Sequence, residues 1–242
     1  MEILADIWEG SLDISEPTLR YGGVVGLMIR LNDINGAQHR DTNFDTQWAQ
    51  SEAFLRAPYF VYSPWYTGAE NALWLFDNLP KGVTRIFADI EVKKTGYSPD
   101  IYADQVATFF AEIRQDYPLT IPYTAPWFLP FLSHWVGGDY WWARYPYTFY
   151  PAQRENWNWE QLKRVLEGYG YCPDPVKKCP GNPKMWQFTG DRLVLPGCAD
   201  RPIDINAFDG TLPELEAWWG AELPKPPLDK LAVLWQAHPE LW

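Results

Sequence analysis

Asp89 and Glu91 are separated by a single residue at the end of a mostly apolar stretch that begins at Arg85. The preceding breaker, Lys81-Gly82, favours a buried strand here, and alternate side chains of a strand share a face. We therefore expect both carboxylates to point the same way, with pKa values pushed apart so that one holds a proton near neutral pH. A glycosidase uses such a pair to protonate a leaving oxygen and to support a cationic sugar. The alternative is a strand that has simply ended with both acids in solvent, because D-x-E is a very short motif.

Two further acids, Asp6 and Asp204, lie near the ends of predicted strands at the two ends of the chain. The active site of a (β/α) barrel lies at the carboxyl ends of its strands. The first and last strands of a closed barrel are neighbours, so we expect Asp6 and Asp204 to be adjacent and to face Asp89 and Glu91. Four converging carboxylates repel one another unless they share a proton or serve a function, and perturbed acids cluster at functional sites.

Apolar runs and helical spacing alternate regularly through the first half of the chain. Predicted strands cover 1–7, 22–30, 57–62, 85–88 and 119–123, and predicted helices cover 41–55, 69–79 and 98–113. This alternation is typical of parallel βα units, and eight strands would close a barrel. The second half has predicted strands at 140–145, 184–189 and 203–206, a hairpin extension at 193–195, a helix at 159–167 and a closing helix at 212–219. The predicted fold class is α/β, a single (β/α) barrel over residues 1–220 with few helices on its last side.

Residues 221–242 are predicted to lie outside the barrel. They contain a stiff linker, Pro224-Lys-Pro-Pro227, and a short amphipathic segment at 228–242. That segment either docks back on the barrel or serves self-association or attachment to a partner.

The composition excludes some partners. The net charge of −11 argues against nucleic acid and anionic membrane surfaces, and no apolar run is long enough to span a bilayer. The chain has 15 Trp, 14 Tyr and 12 Phe. Many of the tryptophans lie beside Gly, Pro and Asp at presumed strand ends, where flat rings suit the C–H faces of sugars. Core packing remains the default for any single ring.

Cysteine and histidine suggest neither a metal nor a cofactor. Cys172 and Cys179 flank a Pro/Lys loop and either form a disulfide or stay reduced, and no C-x-x-C spacing is present. The three histidines are scattered. No signal peptide is predicted at Met1, because a basic start and a long apolar segment are both absent. The chain is thus either made in the cytoplasm or has lost a leader.

Seven short pieces of the sequence occur in an order that resembles a known family. They are Asp6-Ile-Trp-Glu-Gly10, Asp41-x-x-Phe44-x-x-Gln47-Trp48-x-x-Ser51 with Ala57-Pro-Tyr59, Asp89-Ile-Glu91, Tyr123-Thr124, Trp141-x-Ala143-x-Tyr145, Trp186-Gln187-Phe188 and Asp204-Ile-Asn206-x-Phe208-Asp-Gly210. Together they resemble glycoside hydrolase family 25, the lysozymes (N-acetylmuramidases) of bacteria, phages and some fungi. The resemblance covers residues 1–219.

The resemblance implies five βα units, a mostly helix-free last strand group, and cleavage of the β-1,4 bond between N-acetylmuramic acid and N-acetylglucosamine in peptidoglycan, outside the membrane. Glu91 would be the proton donor, with a pKa raised by Asp89 and by partial burial. Asp89 would stabilise the oxocarbenium ion or orient the substrate N-acetyl group, and Asp6 and Asp204 would complete an acidic floor. The residues expected to line the sugar site are Arg30, Tyr59, Tyr123, Trp141, Tyr145 and Gln187.

The sequence departs from this family at Trp8, where a small hydroxyl residue is usual, at Tyr59-Phe60, where an aromatic–His pair is common, and in the long 146–184 insertion. The groove therefore accepts either peptidoglycan or a modified or different N-acetylated glycan. One rival is a chitinase-type barrel, which needs Asp where Arg85 and Phe87 stand. Another is a catalytically inactive, sugar-binding barrel of the adhesin or virion type.

Overall fold

The computed structural model describes residues 1–11, 15–132, 138–145, 155–156, 158, 161, 164, 182–190, 193–194 and 203–221. The three cysteines, most of the 146–184 insertion, including most of its predicted helix at 159–167, and the segment 222–242 lie outside the described residues. Within them, no helix is long and apolar enough to cross a membrane.

Eight strands form a closed barrel, which confirms the predicted fold class. In the order in which they pair around the barrel, they are β1 (Glu2–Ile7), β10 (Asp204–Phe208), β8 (Asn182–Thr189), β6 (Asp139–Ala143), β5 (Thr120–Thr124), β4 (Ile86–Asp89), β3 (Leu55–Val61) and β2 (Val24–Arg30). All neighbours are parallel except β10, which runs antiparallel to both β1 and β8. The first and last strands are therefore neighbours, as expected, but the last one is reversed.

A separate two-stranded sheet joins β7 (Glu155–Asn156) and β9 (Leu193–Val194) in parallel. The predicted hairpin between 184–189 and 193–195 is therefore wrong. Residues 193–194 pair with a segment that precedes β8 instead of folding back on it.

Helices surround the barrel at α1 (Glu16–Tyr21), α2 (Phe44–Gln50), α3 (Gly68–Asn78), α4 (Pro99–Asp116) and α5 (Leu212–Trp219), with a 3₁₀ turn at Leu129–Phe131. Helix α1 was not predicted, because six residues with one buried side chain, Leu19, are too short to show a period. Helix α2 is shorter than expected at its start. Asp41 does not enter the helix, since its carboxylate accepts a hydrogen bond from the Asn43 N–H and binds Arg30.

Strand alternation explains how the barrel interior changes from apolar to polar. On four parallel strands, a buried apolar residue that faces the barrel interior is followed two positions later by a polar residue on the same face. The polar residue of each pair lies nearer the carboxyl end of its strand. These pairs are Leu4 and Asp6, Met28 and Arg30, Phe87 and Asp89, and Met185 and Gln187. The residues between them, such as Ala5, Ile29 and Ala88, pack outward against the helices. The polar ends together form the mouth of the barrel.

Helices α3 and α4 lie close together at Gly68. A Cβ atom on this residue would lie 2.1 Å from the backbone oxygen of Gln105 and 2.8 Å from the backbone nitrogen of Phe109. Gly68→Ala is therefore expected to lower the free energy of unfolding by about 1–3 kcal/mol, although alanine is the better helix former. Urea denaturation measures this, and the exposed neighbour Ala69→Gly is the control, with an expected loss of about 0.5–1 kcal/mol. An unchanged or raised stability in Gly68→Ala contradicts the close approach.

Candidate active site

Asp6 and Asp204 are directly opposite each other on adjacent strands. Asp6 lies near the carboxyl end of β1 and pairs in register with Asp204, the first residue of β10. Because β10 is antiparallel, its first residue reaches the same end of the barrel as the last residues of its neighbours. The adjacency expected from barrel closure is thus observed, and the reversal of β10 is what places Asp204 at the mouth.

Gln187 joins the aromatic side of the mouth to this acidic pair. Its amide nitrogen lies 3.1 Å from each carboxylate oxygen of Asp6 and 3.5 Å from Oδ2 of Asp204. Its amide oxygen accepts hydrogen bonds from the hydroxyls of Tyr123, at 2.8 Å, and Tyr145, at 2.7 Å. Because the amide oxygen of Gln187 faces these two hydroxyl donors, its amide nitrogen points toward Asp6 and Asp204.

Asn206 holds Asp6 from the other side. Its amide nitrogen donates to Asp6 Oδ1 at 2.7 Å, and its amide oxygen accepts from the indole N–H of Trp141 at 2.7 Å. Trp141 is 1% exposed and packs edge-on against Tyr59, with ring centroids 6.3 Å apart. Trp141 and Asn206 therefore support the floor of the mouth from below. Asn206 belongs to the last-strand motif but was not among the predicted site residues.

Asp89 and Glu91 lie across the mouth from this floor. Strand β4 ends at Asp89, but backbone hydrogen bonds continue its extended course, because the Ile90 N–H donates to the Tyr123 carbonyl. Ile90 points into the outer core, which leaves both acids on the inner side. In the described part of the chain, Asp89 Oδ1 and Glu91 Oε2 are buried without a hydrogen-bond partner. Such groups favour the protonated carboxyl.

Burial raises the pKa of three acids at the mouth, Asp6, Asp89 and Glu91. The pKa of Glu91 rises to about 7, first from burial and then from the negative charge of Asp6. The pKa of Asp89 lies well above its usual range because of burial, then the charges of Glu91 and Asp6, with Arg30 acting in the opposite direction. We expected Asp89 to supply the charge that raises the pKa of Glu91, but that charge is the one on Asp6.

The pKa of Asp6 is raised to about 6 by burial, although its hydrogen bonds with Asn206, Asp204 and Gln187 lower it in part. Two carboxyl groups can hydrogen-bond to each other only when one of them carries a proton. The cluster is thus a set of interacting acids that takes up and releases protons around neutral pH.

Glu91→Gln is expected to make the protein more stable at alkaline pH. Because burial raises the pKa of Glu91 above its unfolded value, its contribution to stability is complete below about pH 4.5 and is lost as the pH rises through about 7. Glutamine avoids that loss, so the free energy of unfolding at pH 8 should rise by about 2–3 kcal/mol, with little change at pH 4. Denaturant unfolding at both pH values measures this.

The control is Glu70→Gln on α3. Hydrogen bonds from Thr67 lower the pKa of the exposed Glu70, so the sign is reversed and no gain is expected at pH 8. If Glu91→Gln and the wild type are equally stable at pH 8, the pKa of the Glu91 carboxyl group is not raised by burial.

Arg30 was expected to bind substrate and to offset the acids. Its guanidinium is buried and donates through Nε to Asp41 Oδ2 at 3.1 Å, with Nη2 3.0 Å from the same oxygen and 3.4 Å from Glu9. Its charge still lowers the pKa of Asp89. The structure therefore gives Arg30 a fixed carboxylate partner, Asp41, which the sequence had not singled out as a site residue.

Exposed aromatic rings surround the mouth on loops that follow the carboxyl ends of β1, β3 and β5. They are Trp8, Trp65, Tyr66 and Trp127, which are between 36% and 53% exposed. The Trp127 ring lies 6.5 Å from that of Tyr145, one of the predicted sugar-lining residues. Tyr59 and Tyr123, also predicted to line the site, are more than nine-tenths buried. An aromatic residue within a few positions after a predicted strand end was the available signal for the rings that were missed.

No protein-family model matches the chain, and a search of curated proteins found no match. Solved structures do match. The muramidase from Trichobolus zukalii superimposes with a TM-score of 0.66 at 18% identity, covering 90% of this chain and 98% of that one. A family GH25 lysozyme from Aspergillus fumigatus gives 0.66 at 17% identity, with 90% and 98% covered. The modular Cpl-1 endolysin, solved with a peptidoglycan analogue, gives 0.56 at 15% identity, with 87% and 55% covered.

The fold and the site together define an α/β barrel with coupled, buried carboxylates at its mouth. That barrel has the fold of the GH25 lysozymes, which confirms the resemblance seen in the sequence at the level of the fold.

Proposed function

We propose that this protein is a glycoside hydrolase that cleaves the β-1,4 bond between N-acetylmuramic acid and N-acetylglucosamine in bacterial peptidoglycan. The observation that carries the proposal is Glu91, a carboxyl group at the mouth of a GH25-like barrel with a pKa near 7. A general acid works best when its pKa lies near the operating pH. Peptidoglycan places the site of action outside the membrane.

In the proposed reaction, Glu91 transfers its proton to the glycosidic oxygen as the C–O bond breaks. Glu91, then ionised, takes a proton from the water that completes hydrolysis, so that the acid is restored. In this proposal Asp89 lies beside the reacting carbon, where its carboxylate either stabilises the positive charge of the oxocarbenium ion or accepts a hydrogen bond from the N–H of the substrate N-acetyl group and so orients that group.

The floor supports this chemistry electrostatically. Gln187 and Asn206 hold Asp6 in place. Burial, together with the charge of Asp6, raises the pKa of Glu91 and so keeps its proton in place. Tyr123 and Tyr145 fix the orientation of Gln187 by donating to its amide oxygen. The exposed rings around the mouth would contact further sugars of the glycan strand.

The test is digestion of purified peptidoglycan from several bacteria, followed by borohydride reduction to identify the new reducing end. Release of fragments that end in reduced N-acetylmuramic acid, absent with Glu91→Gln, is the expected result. Reduced N-acetylglucosamine ends instead assign a glucosaminidase, and binding without release from any wall assigns an inactive sugar-binding barrel. A parallel digest with EDTA is expected to proceed unchanged, since the proposed reaction uses protein carboxyl groups alone.

A further inference from the structure

Trp8 lies two residues after Asp6, just beyond the end of β1 at Ile7. Strand alternation directs it toward the same side as Asp6, at the level of the mouth. Its side chain is 37% exposed.

The loop that carries Trp8 is held in place by residues 41–47. The Gln47 amide donates to the Trp8 carbonyl at 2.7 Å, and the Asn43 amide donates to the Glu9 carbonyl at 2.9 Å. The Glu9 N–H donates to Asp41 at 3.2 Å. A turn closes the loop, since the N–H of Ser11 donates to the Trp8 carbonyl at 2.7 Å. The backbone position of Trp8 is therefore fixed by bonds on both sides.

The indole ring is fixed as well. The Arg30 guanidinium lies over it, 5.3 Å from the ring centroid, and Arg30 is itself held by Asp41. Gly10 lets the chain pass close to the far end of the ring, because a Cβ atom there would lie 2.3 Å from Trp8 Cη2. A ring that is already ordered loses little entropy when a ligand binds to it.

Resting on the proposed function, we propose that Trp8 is a specificity-determining residue on which a sugar ring of the glycan strand stacks, next to the bond that is cleaved. Arg30 links this platform to the acids, since its charge acts on both Asp89 and Tyr59. The ligand class is a β-1,4-linked N-acetylhexosamine chain, whose C–H faces match an aromatic ring. A merely structural role, in which the indole covers the Arg30–Asp41 pair, affects stability but leaves sugar affinity unchanged.

The experiment measures glycan binding in the Glu91→Gln protein, so that the ligand is not consumed. The probes are the tetramer of N-acetylglucosamine and soluble, uncrosslinked peptidoglycan strands, titrated by calorimetry. Trp8→Ala is expected to weaken binding about ten-fold, as loss of an aromatic contact usually does, whereas Trp8→Phe should stay within about three-fold. Gly10→Ala should weaken binding too, because the new methyl group displaces the ring. In the active protein, Trp8→Ala should raise KM more than it lowers kcat.

The control is Tyr21→Ala, an exposed ring (75%) at the end of α1, on the opposite end of the barrel. It should bind like the parent. Suppose that the Glu91→Gln protein binds the glycan and the wild type cleaves it, but adding Trp8→Ala leaves the affinity unchanged. The proposed stacking on Trp8 is then wrong, while the proposed function stands. If the wild type neither binds nor cleaves either glycan, the proposed function fails and the platform fails with it.

Discussion

Glu91→Gln should lower kcat on peptidoglycan by about 1,000-fold, within the range of 100- to 10,000-fold for loss of a general acid. Glutamine has nearly the same shape but carries no acidic proton. Its amide also removes the buried charge that destabilises the fold at high pH, so the variant should be inactive and yet well folded. Initial rates of reducing-end release for wild type and variant measure the effect.

A substrate with an activated leaving group separates general acid catalysis from other roles of Glu91. A nitrophenolate leaves without protonation, so Glu91→Gln should lose far less rate on a nitrophenyl glycoside than on the natural glycan. The matched control is Glu112→Gln on the outer face of α4, which should keep full activity on both. Equal losses on both substrates would assign Glu91 a role in binding or charge stabilisation instead.

Asp6→Asn should move the alkaline limb of the pH–rate profile to lower pH. The limb of the wild type is expected near pH 7, where Glu91 loses its proton. The negative charge of Asp6 is part of what raises that pKa, so its removal should shift the limb down by about one pH unit. The profile of kcat/KM between pH 4 and 9 measures this for the free enzyme.

The same change also leaves a donor facing a donor, because the amide nitrogen that replaces Asp6 Oδ2 would lie about 3.1 Å from the amide nitrogen of Gln187. A loss of about 1–3 kcal/mol in the free energy of unfolding is expected alongside the kinetic shift. Asp45→Asn, an exposed carboxylate on α2, is the control and should move neither quantity. An alkaline limb that stays in place in Asp6→Asn contradicts the coupling between Asp6 and Glu91.

Much of the fold followed from the sequence because parallel βα units repeat with a regular period. The direction of β10 did not, since an alternating strand has the same pattern read either way. The adjacency of Asp6 and Asp204 could be predicted because it depends only on closure. The charge that acts on Glu91 could not, because it depends on distances across the barrel, whereas sequence spacing points to the nearer Asp89.

The side-chain contacts of the site could not be predicted from the sequence either. Arg30 and Asp41 are far enough apart in sequence that no local pattern pairs them, and the hydrogen bonds of Gln187 join three different strands. Trp8 was visible only as a departure from the family. Its fixed position became evident when Gly10 and Arg30 were found against the ring.

The closing strand, β10, has a consequence for the stage of synthesis at which the site is assembled. Asn206 and Asp6 are 200 positions apart in the chain but meet through a 2.7 Å hydrogen bond. Glu91 is translated early, while the strand that brings Asn206 and Asp204 beside Asp6 is translated late, so a ribosome-bound or truncated chain that lacks β10 has the acid without its floor. Such a chain would also expose the edges of β1 and β8, which invites aggregation. The site can therefore be assembled only after β10 has been translated.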